Sequence, residues 1–140
     1  MKTSYYTHAA SLNKTKFFLV RTSIGSPRFL KCDCNASFLA PEQDWLDLTE
    51  ASYRRKYIAK LNKFGVAQFK SEFAEIQKSA GKREIVLLCY ESLSPEKVEE
   101  GQFCHRRIFA DWWEQQTGEK VEEVTPHRSR PARPVQPTLL

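Results

Sequence analysis

Cysteine, histidine and arginine stand side by side at positions 104 to 106, directly ahead of a stretch in which Ile108, Phe109, Trp112 and Trp113 recur at helical spacing. That spacing predicts a helix starting near Cys104. The first turn of a helix presents unpaired backbone N–H groups and about half a positive charge, which favours anions and thiolates. Arg106 adds a planar fork suited to phosphate or carboxylate, and His105 is the residue type that changes charge near neutral pH. A thiol at this helix start, near both cations, would have its pKa drawn from about 8.5 toward 7 or less, giving a nucleophile. Cys104, His105 and Arg106 are therefore the candidate catalytic residues. Each also has a structural alternative: a buried cysteine at a helix start, a histidine satisfying a backbone carbonyl, an arginine paired with Glu91 or another carboxylate.

The elements that must position this triplet are legible from periodicity. Residues 2–6, 17–23 and 84–90 read as strands, the last two because FFLV and EIVLLCY are continuous apolar runs of the kind found in a sheet covered on both faces. Residues 120–124 alternate and suit an edge strand. Pro41 opens a short helix over 42–48. Thr49 caps a second, in which Tyr53, Tyr57, Ile58, Leu61 and Phe64 share one face up to Gly65; a third carries Val66, Phe69, Phe73 and Ile76 and stops at Gly81.

Strands separated by helical segments imply parallel neighbours with right-handed crossovers. The predicted fold is a three-layer α/β domain over residues 1–124, a small, mostly parallel, Rossmann-like sheet flanked by helices. Such sheets bind ligands beyond the carboxyl ends of their strands, which selects Tyr5, Arg21, Ser23, Cys89 and Glu91 as candidate ligand-binding residues beside the triplet. A 14-residue connection between Cys89 and Cys104 is long for such a fold and suits a lid.

The net charge of +5 is unevenly spread. Residues 125–140 hold three arginines, no acid and four of the seven prolines, leaving +2 on the first 124 residues. This tail is expected to be disordered, and basicity says little about the folded part. Arg54, Arg55, Lys56, Lys60 and Lys63 line one predicted helix, either as a solvated face or as contacts to phosphate backbones.

Disulfides are not expected, because the chain reads as cytoplasmic: it has no apolar run near the roughly 20 residues of a membrane span and no secretory signal. Cys32 and Cys34 with Cys89, Cys104 and His105 fit structural zinc poorly, since such sites usually show paired ligands two to four residues apart in both halves, and CxC with scattered partners does not. No phosphate-cradling glycine loop or nucleophile elbow is present either, and neither metal nor cofactor is expected.

Certain words of the sequence also resemble a family. A strand ending in LLCYE at residues 87–91, a loop, and FCHR at residues 103–106 opening a helix are similar to the small bacterial, archaeal and phage proteins called domain of unknown function 488 (DUF488). TSYY at 3–6, Arg21-Thr22-Ser23 followed by Pro27, Leu39-Ala40-Pro41, and Tyr53 with Tyr57 agree in order, so the resemblance spans about residues 2–124. It implies an α/β fold and enzymatic activity of no established reaction, and gives no role to Cys32 or Cys34. The function expected is an enzyme whose anion- or phosphate-binding cleft surrounds Cys-His-Arg and takes a small phosphorylated ligand, a nucleotide or nucleic acid. The alternative is a noncatalytic nucleic-acid or protein-binding module using the basic helix and the tail.

Overall fold

A computed structural model describes residues 1–126. Apart from Thr125 and Pro126, the expected tail lies outside the described residues. Among the described residues five strands form one sheet in the order β3-β2-β4-β1-β5, with β1 at Lys2–Tyr5, β2 at Phe17–Arg21, β3 at Cys34–Asn35, β4 at Glu84–Cys89 and β5 at Glu122–Glu123. Every pairing is parallel, so the expected three-layer fold is present with an all-parallel rather than a mostly parallel sheet.

The central position of β4 explains its unbroken apolar run. Ile85 and Leu87 face one core with Phe18 and Val20 of β2, while Val86 and Leu88 face the other with Leu19. A strand bonded on both edges and covered on both faces has no side left for polar residues. The two faces are unequally clad. Helices α2 (Glu50–Phe64) and α3 (Val66–Ala80), with a long helix over His105–Thr117, cover the first; the single turn α1 (Tyr6–Ala9) and the segment through Leu30 cover the second. On the thick side Phe69 is fully buried, its ring within 4.4–6.1 Å of Phe64, Phe109, Trp112 and Trp113. Such contacts are the edge-to-face and tilted arrangements that the ring quadrupole favours.

Helix ends follow the sequence signals. Thr49 Oγ1 accepts from the Ser52 N–H at 3.3 Å, and Gly118 adopts the left-handed conformation (φ 79°) after Thr117. In the connection after β4, a short helix α4 (Pro95–Glu99) starts with the Ser94 hydroxyl oxygen accepting from the Lys97 N–H at 3.3 Å, leaving α5 as the label for His105–Thr117.

Some expectations are corrected. The helix expected over 42–48 is a 3₁₀ turn, Gln43–Trp45, preceded by another at Ser37–Leu39. Its bonds run from Trp45 N–H to Glu42 and from Leu48 N–H to Trp45, and its apolar residues Trp45 and Leu48 are three apart, the period of a 3₁₀ helix. Strand β3 has only two residues and no apolar alternation that would announce it. The strand expected over 120–124 narrows to Glu122–Glu123 at the sheet's other edge.

Candidate active site

Beyond the carboxyl ends of β2 and β4 the chain departs in opposite directions. The segment after β2 crosses the thin face through Leu30 and Cys32 to β3, and the segment after β4 turns to α5 on the thick face. Divergence of adjacent connections opens a crevice, the usual ligand position of parallel sheets. A cavity of about 650 Å³ lies there, between residues 23–25 after β2, residues 89–91 after β4, the start of α5, and Pro41, Gln43, Leu46 and Tyr53 opposite.

Five of the eight sequence-selected residues line it: Ser23, Cys89, Glu91, Cys104 and His105. Cys89 follows Ile85 and Leu87 on the strand face toward α5, and Cys104 is the N-cap residue of that helix. Their sulfurs meet in bonding contact, although the Cα atoms are 7.6 Å apart. Both side chains are buried. The expectation that the chain forms no disulfide is thereby corrected for this pair; the connection after β4 folds back through α4 and returns Cys104 to the strand it left. Cys32 and Cys34 remain free and half-buried, Cys32 against the thin-side core and Cys34 against the thick-side one. Burial, with the charge of Asp33, pushes both thiols up.

The hydrogen bonds of His105 settle its tautomer. Nε2 lies 3.0 Å from the carbonyl oxygen of Thr22, which only accepts, so the ring nitrogen donates. Thr22 Oγ1, 3.1 Å from the same nitrogen, gives its own hydrogen to the Leu88 carbonyl at 2.8 Å. Nδ1 is therefore bare, and it sits 3.7 Å from Cys104 Sγ. Burial lowers the pKa of His105 to about 4; the bond to Thr22 opposes the shift and the charges of Arg106 and Lys60 add to it. The ring is thus neutral at pH 7 rather than poised to change charge there.

Arg106 does not line the cavity. Its side chain is wholly buried, and its guanidinium grips Glu123: Nε donates at 3.1 and 3.2 Å to the two carboxylate oxygens and Nη2 at 2.6 Å to Oε2. Nη1 donates to Cys89 Sγ at 2.8 Å, and the group stands 5.9 Å from the Tyr5 ring. The structural alternative is the one realised, with Glu123 in place of Glu91. Glu123 also accepts from Thr3 Oγ1 at 2.6 Å. Burial raises its carboxyl, but the bonds from Arg106 and Thr3 and the charges of Arg106 and Arg107 outweigh that and hold it below the ordinary range.

Tyr5 and Arg21 are likewise outside the cavity lining. Tyr5 packs against Arg106 and the His8 ring, and Arg21 Nη2 donates to the Ile24 carbonyl at 3.2 Å, shaping the cleft wall. Ser23 reaches the cleft, but its hydroxyl hydrogen goes to the Gly25 carbonyl and its oxygen accepts from Tyr6 at 2.6 Å. Burial pushes the Tyr6 phenol up to about 12, so it stays a donor.

The remaining walls decide what the cleft suits. Ile24, Leu46, Tyr53, Tyr90 and Phe103 present apolar and aromatic surface and Gln43 and Gln102 present amides; among the described residues Glu91 is the single carboxylate lining it, and no Lys or Arg does. Burial and the nearby charge of Glu91 push the Tyr53 phenol far up, leaving a neutral hydroxyl.

Fold and site together define an all-parallel α/β domain with a cysteine-histidine cluster on the floor of a switch-point cleft. Compared with protein-family models, curated proteins and solved structures, the chain matches none.

Two contributors escaped sequence reasoning. Thr22 lay between two selected residues but carries no chemical signature, and Glu123 was one of three glutamates in a short C-terminal stretch; its alternation with Val121 and Val124 gave a strand, not a partner.

Proposed function

We propose that the chain is an enzyme that takes a small, flat, largely uncharged molecule into the cleft and acts on it at the floor formed by Cys89, Cys104 and His105. The observation that carries this reading is the convergence of those three side chains on one cavity whose volume lies within the roughly 300–1,000 Å³ usual for ligand pockets. Aromatic walls supply stacking, amides supply donors and acceptors in a neutral setting, and Glu91 orients or takes a proton. A phosphate would need cations, and the arginine expected to provide one is held by Glu123. The likeness to the domain of unknown function 488 family belongs to this reading, since two of the words that carry it, LLCYE at 87–91 and FCHR at 103–106, contain Cys89, Cys104 and His105.

The test is a thermal-shift screen of uncharged heteroaromatic compounds, nucleobases among them, beside phosphorylated ones. Stabilisation of about 2.7 kcal/mol is expected at a hundredfold excess over Kd. It should vanish in Leu46→Arg, which places a long cation at an exposed rim position of the cleft. Stabilisation confined to phosphorylated compounds, or undiminished in Leu46→Arg, would overturn the reading.

A nucleic-acid-binding module is the second reading, favoured by a hollow of about 620 Å³ lined by Lys56, Lys60, Lys63, Trp45 and Phe64. It is weaker because Lys60 Nζ already donates to the Ala40 carbonyl at 2.6 Å and to Glu42 at 3.1 Å. Such binding would fall steeply with salt.

A further inference from the structure

We propose that Cys89, Cys104 and His105 bind one zinc ion through two thiolates and Nδ1, leaving the fourth coordination position open to the cleft. This deepens the enzymatic reading above and rests on it only for the reaction, not for the metal.

The three donor atoms all lie within 4.8 Å of one another, and they form the sole such grouping of three or more His, Cys, Asp or Glu among the described residues. Around a tetrahedral zinc, bond lengths of about 2.3 Å to sulfur and 2.0–2.1 Å to nitrogen place neighbouring S and N donors about 3.6 Å apart. Nδ1 and Cys104 Sγ are 3.7 Å apart, and the two sulfurs, in bonding contact in this structure, separate to about 3.8 Å when both are bound to the ion. The backbone span of the cysteine pair also suits an ion better than a bridge: disulfides join Cα atoms usually 4.4–6.8 Å apart, and here the separation is 7.6 Å.

The surroundings are those a metal site requires. A ligating histidine almost always gives its other ring hydrogen to a carboxylate, carbonyl or water, which fixes the ring and raises ligand basicity. His105 does this with the Thr22 carbonyl, and the same bond leaves Nδ1 without hydrogen and facing the sulfurs. Arg106 Nη1 donates to Cys89 Sγ at 2.8 Å, a contact that favours thiolate over thiol. Charge closes as well. Zinc with two thiolates is neutral, Arg106 with Glu123 is neutral, and no uncompensated charge is buried.

A thiol reductant first opens the Cys89–Cys104 contact, supplying two electrons and two protons and leaving as its own disulfide; entry of the ion into the resulting dithiol is then an exchange without redox chemistry, in which two S–H bonds break, two Zn–S bonds form, and two protons leave to solvent. Two cysteines and one histidine with an open fourth position form a catalytic zinc set, whereas structural sites close with four protein ligands. The cleft gives water and substrate access to that position. Glu91, its single carboxylate among the described residues, is the group available to accept a proton from metal-bound water, whose pKa zinc lowers toward about 7. The substrate class is then an uncharged molecule with an electrophilic carbon open to hydrolytic attack.

The experiment is cobalt titration of the full chain, reduced and handled without oxygen, after a thiol count confirms four free thiols. One equivalent of cobalt should produce the sulfur-to-metal charge-transfer band and the d–d bands of a tetrahedral site, and zinc should abolish both. Cys32→Ser/Cys34→Ser should behave as wild type. Cys89→Ser, Cys104→Ser and His105→Gln should each weaken binding at least a hundredfold; for variants that do not fold, X-ray absorption of the zinc-loaded wild type should show two sulfur neighbours and one imidazole. Absence of a tetrahedral spectrum in fully reduced protein, or a spectrum lost only in Cys32→Ser/Cys34→Ser, overturns the site. Running the heteroaromatic screen on zinc-loaded and chelator-treated protein separates the two claims: metal binding without ligand binding defeats the enzymatic reading, and ligand binding without metal binding defeats this one.

Discussion

Replacing Glu123 by alanine tests whether Arg106 is an anchor or a ligand-binding group. In the folded chain the guanidinium has no exposed surface, and three of its four described hydrogen bonds go to the Glu123 carboxylate. Removing one partner of such a pair strands the other charge in a low-dielectric interior, at a cost of about 3–5 kcal/mol. With an unfolding entropy of about 2.1 cal/mol/K per residue, the 126 described residues give a slope near 0.26 kcal/mol/K, so Tm should fall by about 11–19 °C. Glu84 supplies the control. It pairs with the N-terminal ammonium at 2.9 Å but is 41% exposed, and Glu84→Ala should cost at most about 1 kcal/mol.

Two further variants separate charge from shape. Glu123→Gln keeps an acceptor for the fork and should lose about half as much, while Arg106→Met combined with Glu123→Leu removes both charges and should recover most of the loss, because apolar replacements for a whole buried pair are often neutral. Calorimetry and urea unfolding on the full chain at pH 7 give the numbers. Should Glu123→Ala fall within about 1 kcal/mol of Glu84→Ala, the guanidinium has another partner, and its service to an anionic ligand returns to consideration.

The same carboxylate sets a pH dependence. Because its folded pKa is depressed below the ordinary 4.5, Glu123 contributes stability that is present above the unfolded value and lost as pH falls through the folded one; urea midpoints from pH 6 to 2.5 should show that acid loss in the wild type and lack it in Glu123→Gln. Tyr57→Phe should cost about 1–3 kcal/mol in urea unfolding, since the buried phenol donates to the Leu39 carbonyl at 2.7 Å and its loss leaves that acceptor unpaired; a change below about 0.5 kcal/mol would mean that the carbonyl finds water.

How far the sequence disclosed this arrangement depended on whether a partner is local. The EIVLLCY run reveals β4 because burial on both faces leaves a continuous apolar signature, and the first residue of α5 is visible because Ile108, Phe109, Trp112 and Trp113 must repeat behind it. Once both are placed, the strand-end rule brings Cys89 toward Cys104 without coordinates. The rule fails at Arg21 and Tyr5, since it locates a residue at the cleft end of the sheet without fixing which way the side chain turns. Arg21 turns to the Ile24 carbonyl and Tyr5 toward Arg106. The partner of Arg106 was least accessible: it lies 17 residues away on a two-residue edge strand, whose neighbour β1 becomes known only from the sheet order. Charge counting misled for a related reason. Arg106 and Lys60 are cations by composition, yet Glu123 in one case and Glu42 with a backbone carbonyl in the other already engage them.

The triplet at the start of α5 gains its precision from being tied to several strands at once. His105 bonds to Thr22 after β2, and the Thr22 hydroxyl bonds on to Leu88 of β4. Arg106 bonds to Cys89 at the end of β4 and to Glu123 of β5, which Thr3 of β1 also holds. Four of the five strands therefore fix where Cys104 stands, and a helix start so constrained cannot drift without breaking buried hydrogen bonds worth about 1–3 kcal/mol each. The cleft walls opposite are built differently, from loop and 3₁₀ residues such as Ile24, Gln43 and Leu46. A floor locked to the sheet and walls carried on connections is the division of labour that reaction chemistry demands: reacting atoms held to a fraction of an ångström, and a lining free to vary with the molecule it admits.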